Sequence, residues 1–143
     1  LGSLQLLRAR DLDVDGLANV GALHQLTTLV LYDSLSDLTP LFELTSLTSL
    51  DINHNNISSL DGIERFTKLL YLCLGSDYVL DLSPLTSLQN LQILDIANQA
   101  TDDYSPILQI PHLTQLYCTE EQKATLEQLP GEHHFSYFII DVE

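Results

Sequence analysis

Residues 47–74 read LTSLDINHNNISSLDGIERFTKLLYLCL, and this stretch decides the fold. It opens on Leu47, Leu50 and Ile52 and closes on Leu69, Leu72 and Leu74, the same L-x-x-L-x-L spacing 22 residues apart. The spacing recurs on both sides, as Leu26/Leu29/Leu31 before it and Leu91/Leu94/Ile96 and Leu113/Leu116/Cys118 after it. The triplets start at 26, 47, 69, 91 and 113, so the period is 22 with one step of 21. Extrapolation backwards gives Leu4/Leu7/Ala9, and forwards Phe135/Phe138/Ile140. Self-similarity at a fixed period of this length is the mark of a solenoid of stacked units.

The second half of each unit is periodic too. Leu38, Leu41 and Leu44 follow Leu31; Ile57, Leu60, Ile63 and Phe66 follow Ile52; Leu82, Leu85 and Leu88 follow Leu74; and Leu17, Val20 and Leu23 follow the first triplet. Apolar residues three apart suit a tight 3₁₀-like turn, where positions i and i+3 share a side. Thr39-Pro40, Ser83-Pro84 and Ser105-Pro106 read as a hydroxyl N-cap followed by Pro at the first helical position. Asp61-Gly62 marks the matching turn of the third unit. Each unit is thus a short strand, a turn and a short helical segment. One unit cannot bury its apolar side alone, whereas stacked units share a continuous core.

The pattern resembles the leucine-rich repeat family, with its consensus L-x-x-L-x-L-x-x-N/C-x-L. Ser36-Asp37-Leu38-Thr39-Pro40-Leu41 and Leu80-Asp81-Leu82-Ser83-Pro84-Leu85 are similar to the 22-residue class of bacterial internalin-like and SDS22-like proteins. The resemblance covers nearly the whole chain and implies a right-handed α/β solenoid. Parallel strands would line a concave sheet, and short helical turns would line the convex side. At the consensus Asn only Asn55 fits cleanly; Ser34, Asp77, Gln99 and Glu121 sit at or beside the other positions. The expected organisation is one domain over residues 1–143, with units starting near 4, 26, 47, 69, 91 and 113. A helix over 120–129 and a final strand over 135–141 complete it. That helix is marked by the capping-box pair Thr119 and Gln122, by acidic Glu120 and Glu121 at its positive end, and by Pro130-Gly131 beyond it. Residues 97–104 are expected to hold the loosest turn, with Thr101 where an apolar residue belongs and Tyr104 in a core slot.

Composition narrows the function. The chain has 143 residues, 45% of them apolar, enough to bury a core and too apolar for a disordered tail. Five Lys and Arg stand against twenty Asp and Glu, a formal net charge of −15, which argues against nucleic acid or anionic lipid as partner. No uncharged apolar run is long enough to cross a membrane as a helix. There is no Met, even at position 1, so the chain is expected to be a piece or a processed form of a longer product. No polar cap precedes Leu4, so the first strand is expected to present an open edge.

If the triplets point inward, the residues between them face the concave surface, because side chains alternate along a strand. These are Arg8 and Arg10; Thr28, Val30 and Tyr32; Ser49, Asp51 and Asn53; Tyr71, Cys73 and Gly75; Ile93, Asp95 and Ala97; Gln115, Tyr117 and Thr119; and Tyr137, Ile139 and Asp141. Four of the six tyrosines fall here. Tyrosine joins a large apolar ring to a hydrogen-bonding tip, which suits protein interfaces. The candidate partner-binding residues are therefore Tyr32, Asp51, Asn53, Tyr71, Asp95 and Tyr117. The expected function is a non-catalytic scaffold for a protein or peptide with some basic character. A second set, Asp77, Asp81, Asp102 and Asp103, belongs to an acidic edge that also takes in Asp11, Asp13, Asp15, Asp33, Asp37, Glu120 and Glu121. That edge would suit an inhibitor or immunity-type protein masking a basic enzyme. A third possibility is a structural spacer in a larger surface or signalling protein.

No residues call for a cofactor, a metal or a catalytic role. Cys73 and Cys118 lie two strands apart, roughly 9–10 Å at about 4.8 Å per strand, too far to bridge. Two free thiols fit a reducing compartment. His54 lies about three residues along its strand from the level of Cys73, roughly 10 Å away, so no Cys-His pair forms. His133-His134 lacks companions for a metal site, and Asp11-x-Asp13-x-Asp15 lacks the Gly and Glu that complete an EF-hand loop.

Overall fold

The computed structural model describes residues 3–75, 78–99 and 101–141. Among these, seven parallel strands form one sheet in chain order: β1 Leu6–Arg10, β2 Thr28–Tyr32, β3 Ser49–Asp51, β4 Tyr71–Cys73, β5 Ile93–Asp95, β6 Gln115–Cys118 and β7 Ser136–Ile139. The register stacks like on like: Leu7, Leu29, Leu50, Leu72, Leu94 and Leu116 form one continuous row. From Leu29 onward every member of that row is fully buried. Each such leucine contributes roughly 1.5–3 kcal/mol relative to an exposed one. The strands thus present one apolar face to the core and one mixed face outward, as their alternation requires. The sheet and its short helical returns form an α/β leucine-rich-repeat solenoid.

The opposite wall is made of 3₁₀ turns at Thr39–Leu41, Ile63–Arg65, Ser83–Ser87 and Ser105–Gln109, whose Leu41, Ile63, Leu85 and Ile107 seal the core. Pro opens three of them, but the hydroxyls of Thr39, Ser83 and Ser105 are not the caps. Each of these residues instead donates its own N–H to the carboxylate two positions earlier, Asp37, Asp81 or Asp103, at 2.8–2.9 Å. A carboxylate reaches this N–H through a compact Asx turn, which holds the chain at the bend before the helical turn.

Two further departures concern the ends. After β1 the chain forms a true α-helix, α1 (Val14–Gly21), where apolar residues three apart had suggested a 3₁₀ turn. Spacing of three occurs in both; here the Leu17 N–H reaches the Asp13 carbonyl four residues back at 2.9 Å, and the Asp13 carboxylate caps the helix through the Gly16 N–H at 2.9 Å. At the other end, β7 pairs Leu116 with Tyr137 and Tyr117 with Phe138, a step of 21 rather than 22. A one-residue slip turns every side chain over. Tyr137 therefore packs on the core, while Phe138 stands 40% exposed on the concave face, the reverse of the expected Phe135/Phe138/Ile140 triplet. Phe135 does stay buried. Helix α2 (Glu120–Glu127) precedes β7 and carries the anticipated capping box.

Candidate functional site

The register places Val30, Asp51, Cys73, Asp95, Tyr117 and Phe138 in one row across β2–β7. Thr28, Ser49, Tyr71, Ile93, Gln115 and Ser136 form the row beside it. Tyr32, Asp51, Asn53, Tyr71, Asp95 and Tyr117 all lie on this face, and all six are half-buried. The slip at β7 removes Tyr137 and Ile139 from it and supplies Ser136 and Phe138 instead, so the aromatic group is Tyr32, Tyr71, Tyr117 and Phe138; Asp141 lies beyond the end of β7. Phe138 was missed for a physical reason: residues 135–140 are apolar or aromatic in both alternations apart from Ser136, so pattern alone cannot choose between them.

The two carboxylates are held alike. Asp51 Oδ1 accepts the Asn53 N–H at 3.1 Å, and Asp95 Oδ1 accepts the Ala97 N–H at 2.9 Å. The Tyr32 hydroxyl donates to Asp51 Oδ2 at 2.8 Å, which ties an aromatic ring to the first carboxylate. Asn53 Oδ1 accepts the His54 N–H at 2.9 Å, and His54 meets Tyr32 edge-on with ring centres 6.2 Å apart. Gly75 is required here by close approach, since a Cβ would sit 2.6 Å from the Ala97 carbonyl and 3.3 Å from Asn53 Oδ1. At the far end Tyr117 stacks on Phe138 at 5.0 Å and 19°.

Burial sets the chemistry of the row. Cys73 lies on the concave side yet is only 3% exposed. Burial first, then the charges of Asp95 and Asp51, push its thiol far above the ordinary range. A nucleophile needs a thiolate, so this environment is the opposite of an activating one. Burial also raises Tyr71, and raises Tyr32 to about 12 with help from the hydrogen bond to Asp51. Asp95 sits above the usual carboxylate range, again through burial, with the Ala97 N–H partly offsetting it. Cys118 is fully buried in the core, its thiol raised to about 11 by burial, and both cysteines are free.

The edge acids are dispersed among local tasks. Asp81 and Asp103 hold the turns described above, and their bonds to Ser83 and Ser105 draw both carboxyls below the ordinary range. Asp13 caps α1, Asp11 and Asp33 pair with Arg10 at 3.2 and 2.8 Å, and Glu120 and Glu121 occupy the first turn of α2. Asp102 is exposed, and Asp77 lies outside the described residues. His133 bridges the Tyr137 hydroxyl and the Leu129 carbonyl at 2.8 and 3.1 Å, while His134 bonds the Ile110 carbonyl at 3.0 Å. Both histidines hold the C-terminal strand in place. Among the described residues, no group of three or more His, Cys, Asp or Glu is set to hold a metal.

Comparison with known proteins agrees with this geometry. A family model described as Leucine Rich repeats (2 copies) matches residues 45–87. Leucine-rich repeat-containing protein 56 of Rattus norvegicus is 34% identical over 144 residues, covering 95% of this chain and 24% of that protein. The chain therefore spans about a quarter of the length of the curated relative it matches. An internalin from Listeria monocytogenes superposes with a TM-score of 0.67 at 24% identity, covering 97% of this chain and 44% of that one. A leucine-rich-repeat protein of Leptospira interrogans gives 0.67 at 18% identity, covering 96% and 38%. At these identities the structural likeness is one of fold.

Proposed function

This chain is a leucine-rich-repeat protein, and from that premise we propose that it is a non-catalytic protein-binding module whose partner seats on the concave sheet face. The observation that carries the reading is the grouping of Tyr32, Tyr71, Tyr117 and Phe138 around Asp51 and Asp95 on a single face. Aromatic rings with polar tips on a rigid sheet lose little conformational freedom on binding, which favours them as interface anchors. Leucine-rich repeats serve many unrelated partners, so the fold names the kind of function and the side chains must name the ligand.

The test is affinity capture with the wild-type chain and with the Tyr71→Ala/Tyr117→Ala double variant, at low and high salt, after circular dichroism confirms that both fold. A partner retained at high salt and lost from the double variant supports the reading, with affinity falling about tenfold or more. Undiminished capture by the folded double variant overturns it. A partner that washes off with salt and depends on Asp81, Asp102 and Asp103 transfers the function to the acidic edge. Absence of any specific partner points to a structural spacer.

A further inference from the structure

The concave face carries an electrostatic imbalance. Asp51 on β3 and Asp95 on β5 are half-buried and two strands apart, flanking Cys73 of β4, and the Cys73 thiol interacts with both carboxylates. Their neutral partners are the Tyr32 hydroxyl and two backbone N–H groups. Among the described residues, the ion pairs join Arg10 to Asp11 and Asp33 and Lys123 to Glu127, so no cation lies within pairing distance of Asp51 or Asp95. The nearest base on the row is Arg8, exposed and two strands from Asp51.

Covering such a pair is costly unless the cover brings positive charge, because a carboxylate removed further from water needs a compensating cation. The neighbouring surface specifies the cation. Tyr117 is directly beside Asp95 in the row, and its ring is stacked on the exposed Phe138. A planar guanidinium can bond carboxylates in the plane of its fork and lie against an aromatic face, whereas an ammonium offers only a point charge.

We propose that this face recognises an arginine-bearing segment of a protein partner, with the guanidinium set over Cys73 between Asp51 and Asp95 and an adjoining apolar side chain resting on Tyr117 and Phe138. The proposal rests on the concave-face reading and adds the chemistry of the ligand. Arg8 gives the segment a direction: its basic residue lies over β3–β5, and its end nearest β1 is neutral or acidic.

Acetyl-Gly-Arg-Gly-Phe-amide, with its Lys and Glu analogues, is titrated into the isotopically labelled chain and followed by amide chemical shifts. The Arg peptide is expected to shift the amides of Asp51, Cys73, Asp95 and Tyr117, the Lys peptide to bind several-fold more weakly, and the Glu peptide to leave them unmoved. The Asp51→Asn/Asp95→Asn variant, which keeps the acceptors for Asn53, Ala97 and Tyr32, should retain the spectrum of a folded chain and lose about tenfold in affinity. Equal response to the Glu peptide, shifts centred elsewhere, or unchanged affinity in the Asn variant overturns the proposal. Once a captured partner is in hand, dependence on Tyr71 and Tyr117 with indifference to the two Asn substitutions overturns the arginine assignment alone. Indifference to the tyrosines overturns the concave-face reading itself.

Discussion

The turn after β3 and the turn after β5 solve the same problem with different residues. After β3, the buried Asn55 ties two units together: its Nδ2 donates to the Leu31, Ile52 and Asn53 carbonyls, and its Oδ1 accepts the Ser34 and Leu35 N–H groups. After β5 there is no Asn at this place. Gln99 reaches the Val79 carbonyl at 2.6 Å, and Gln122, arriving from α2, donates to the Ile96 and Gln99 carbonyls at 2.8 and 3.3 Å. Gln122 also closes the capping box of its own helix through Thr119. Buried backbone groups must be satisfied, and any side chain of the right reach can do it. What one short Asn achieves across two adjacent units after β3, two longer Gln side chains share after β5. The second turn is consequently tied to the packing of α2, and the first is not.

Removing Asn55 provides the sharpest break in that contrast. Asn55→Ala leaves backbone groups of two adjacent units unpaired in the core and should cost roughly 3–4 kcal/mol in chemical denaturation. Gln122→Ala removes one cap and two carbonyl bonds near the end of the array and should cost about 1–2 kcal/mol. Equal losses would mean that the two turns are equally local. Hydrogen exchange adds a spatial check, with Gln122→Ala releasing protection in α2 and the turn after β5 while the turn after β3 keeps its own.

The slipped register of β7 comes next in size. Tyr137 packs on the core and bonds His133, so Tyr137→Ala should cost about 2 kcal/mol. Phe138 faces outward and mainly contributes its stack on Tyr117, so Phe138→Ala should cost about 0.5–1 kcal/mol. The reverse order would restore the 22-residue register and return Phe138 to the core.

The smallest effects distinguish the two kinds of aspartate by the sign of their pH dependence. Asp103 has its folded-state value lowered by Ser105, so its contribution is complete above the ordinary carboxylate value and is lost as pH falls through the lowered one. The melting temperature of Asp103→Ala should thus lie below wild type at neutral pH and approach it in strong acid. Asp95 is raised by burial, so its contribution is present below the ordinary value and is lost as pH rises through the raised one. Asp95→Asn should therefore melt above wild type at neutral pH, with the advantage vanishing near pH 4. A neutral-pH loss in Asp95→Asn would show that the carboxylate is compensated where it sits.

Much of this molecule was legible from leucine spacing. The row from Leu29 to Leu116, the core place of Cys118, the capping box of α2 and the shared face of six candidate residues all follow from period and alternation. Those features depend on which side of a strand is apolar, and a strict repeat states that once per unit. Tertiary structure decided what several local patterns allowed equally. Residues 135–140 could pair in two registers with an apolar face either way, and the chain took the one that stacks Phe138 on Tyr117 and bonds Tyr137 to His133. The bend before each Pro-containing helical return could be held by hydroxyl or carboxylate, and Asp37, Asp81 and Asp103 had the reach to the N–H two residues on. The polar lock after β5 comes from Gln122, more than twenty residues away in sequence. Spacing specifies faces because burial acts on each residue separately, whereas register, capping and polar satisfaction depend on which partner the folded chain brings within hydrogen-bond reach.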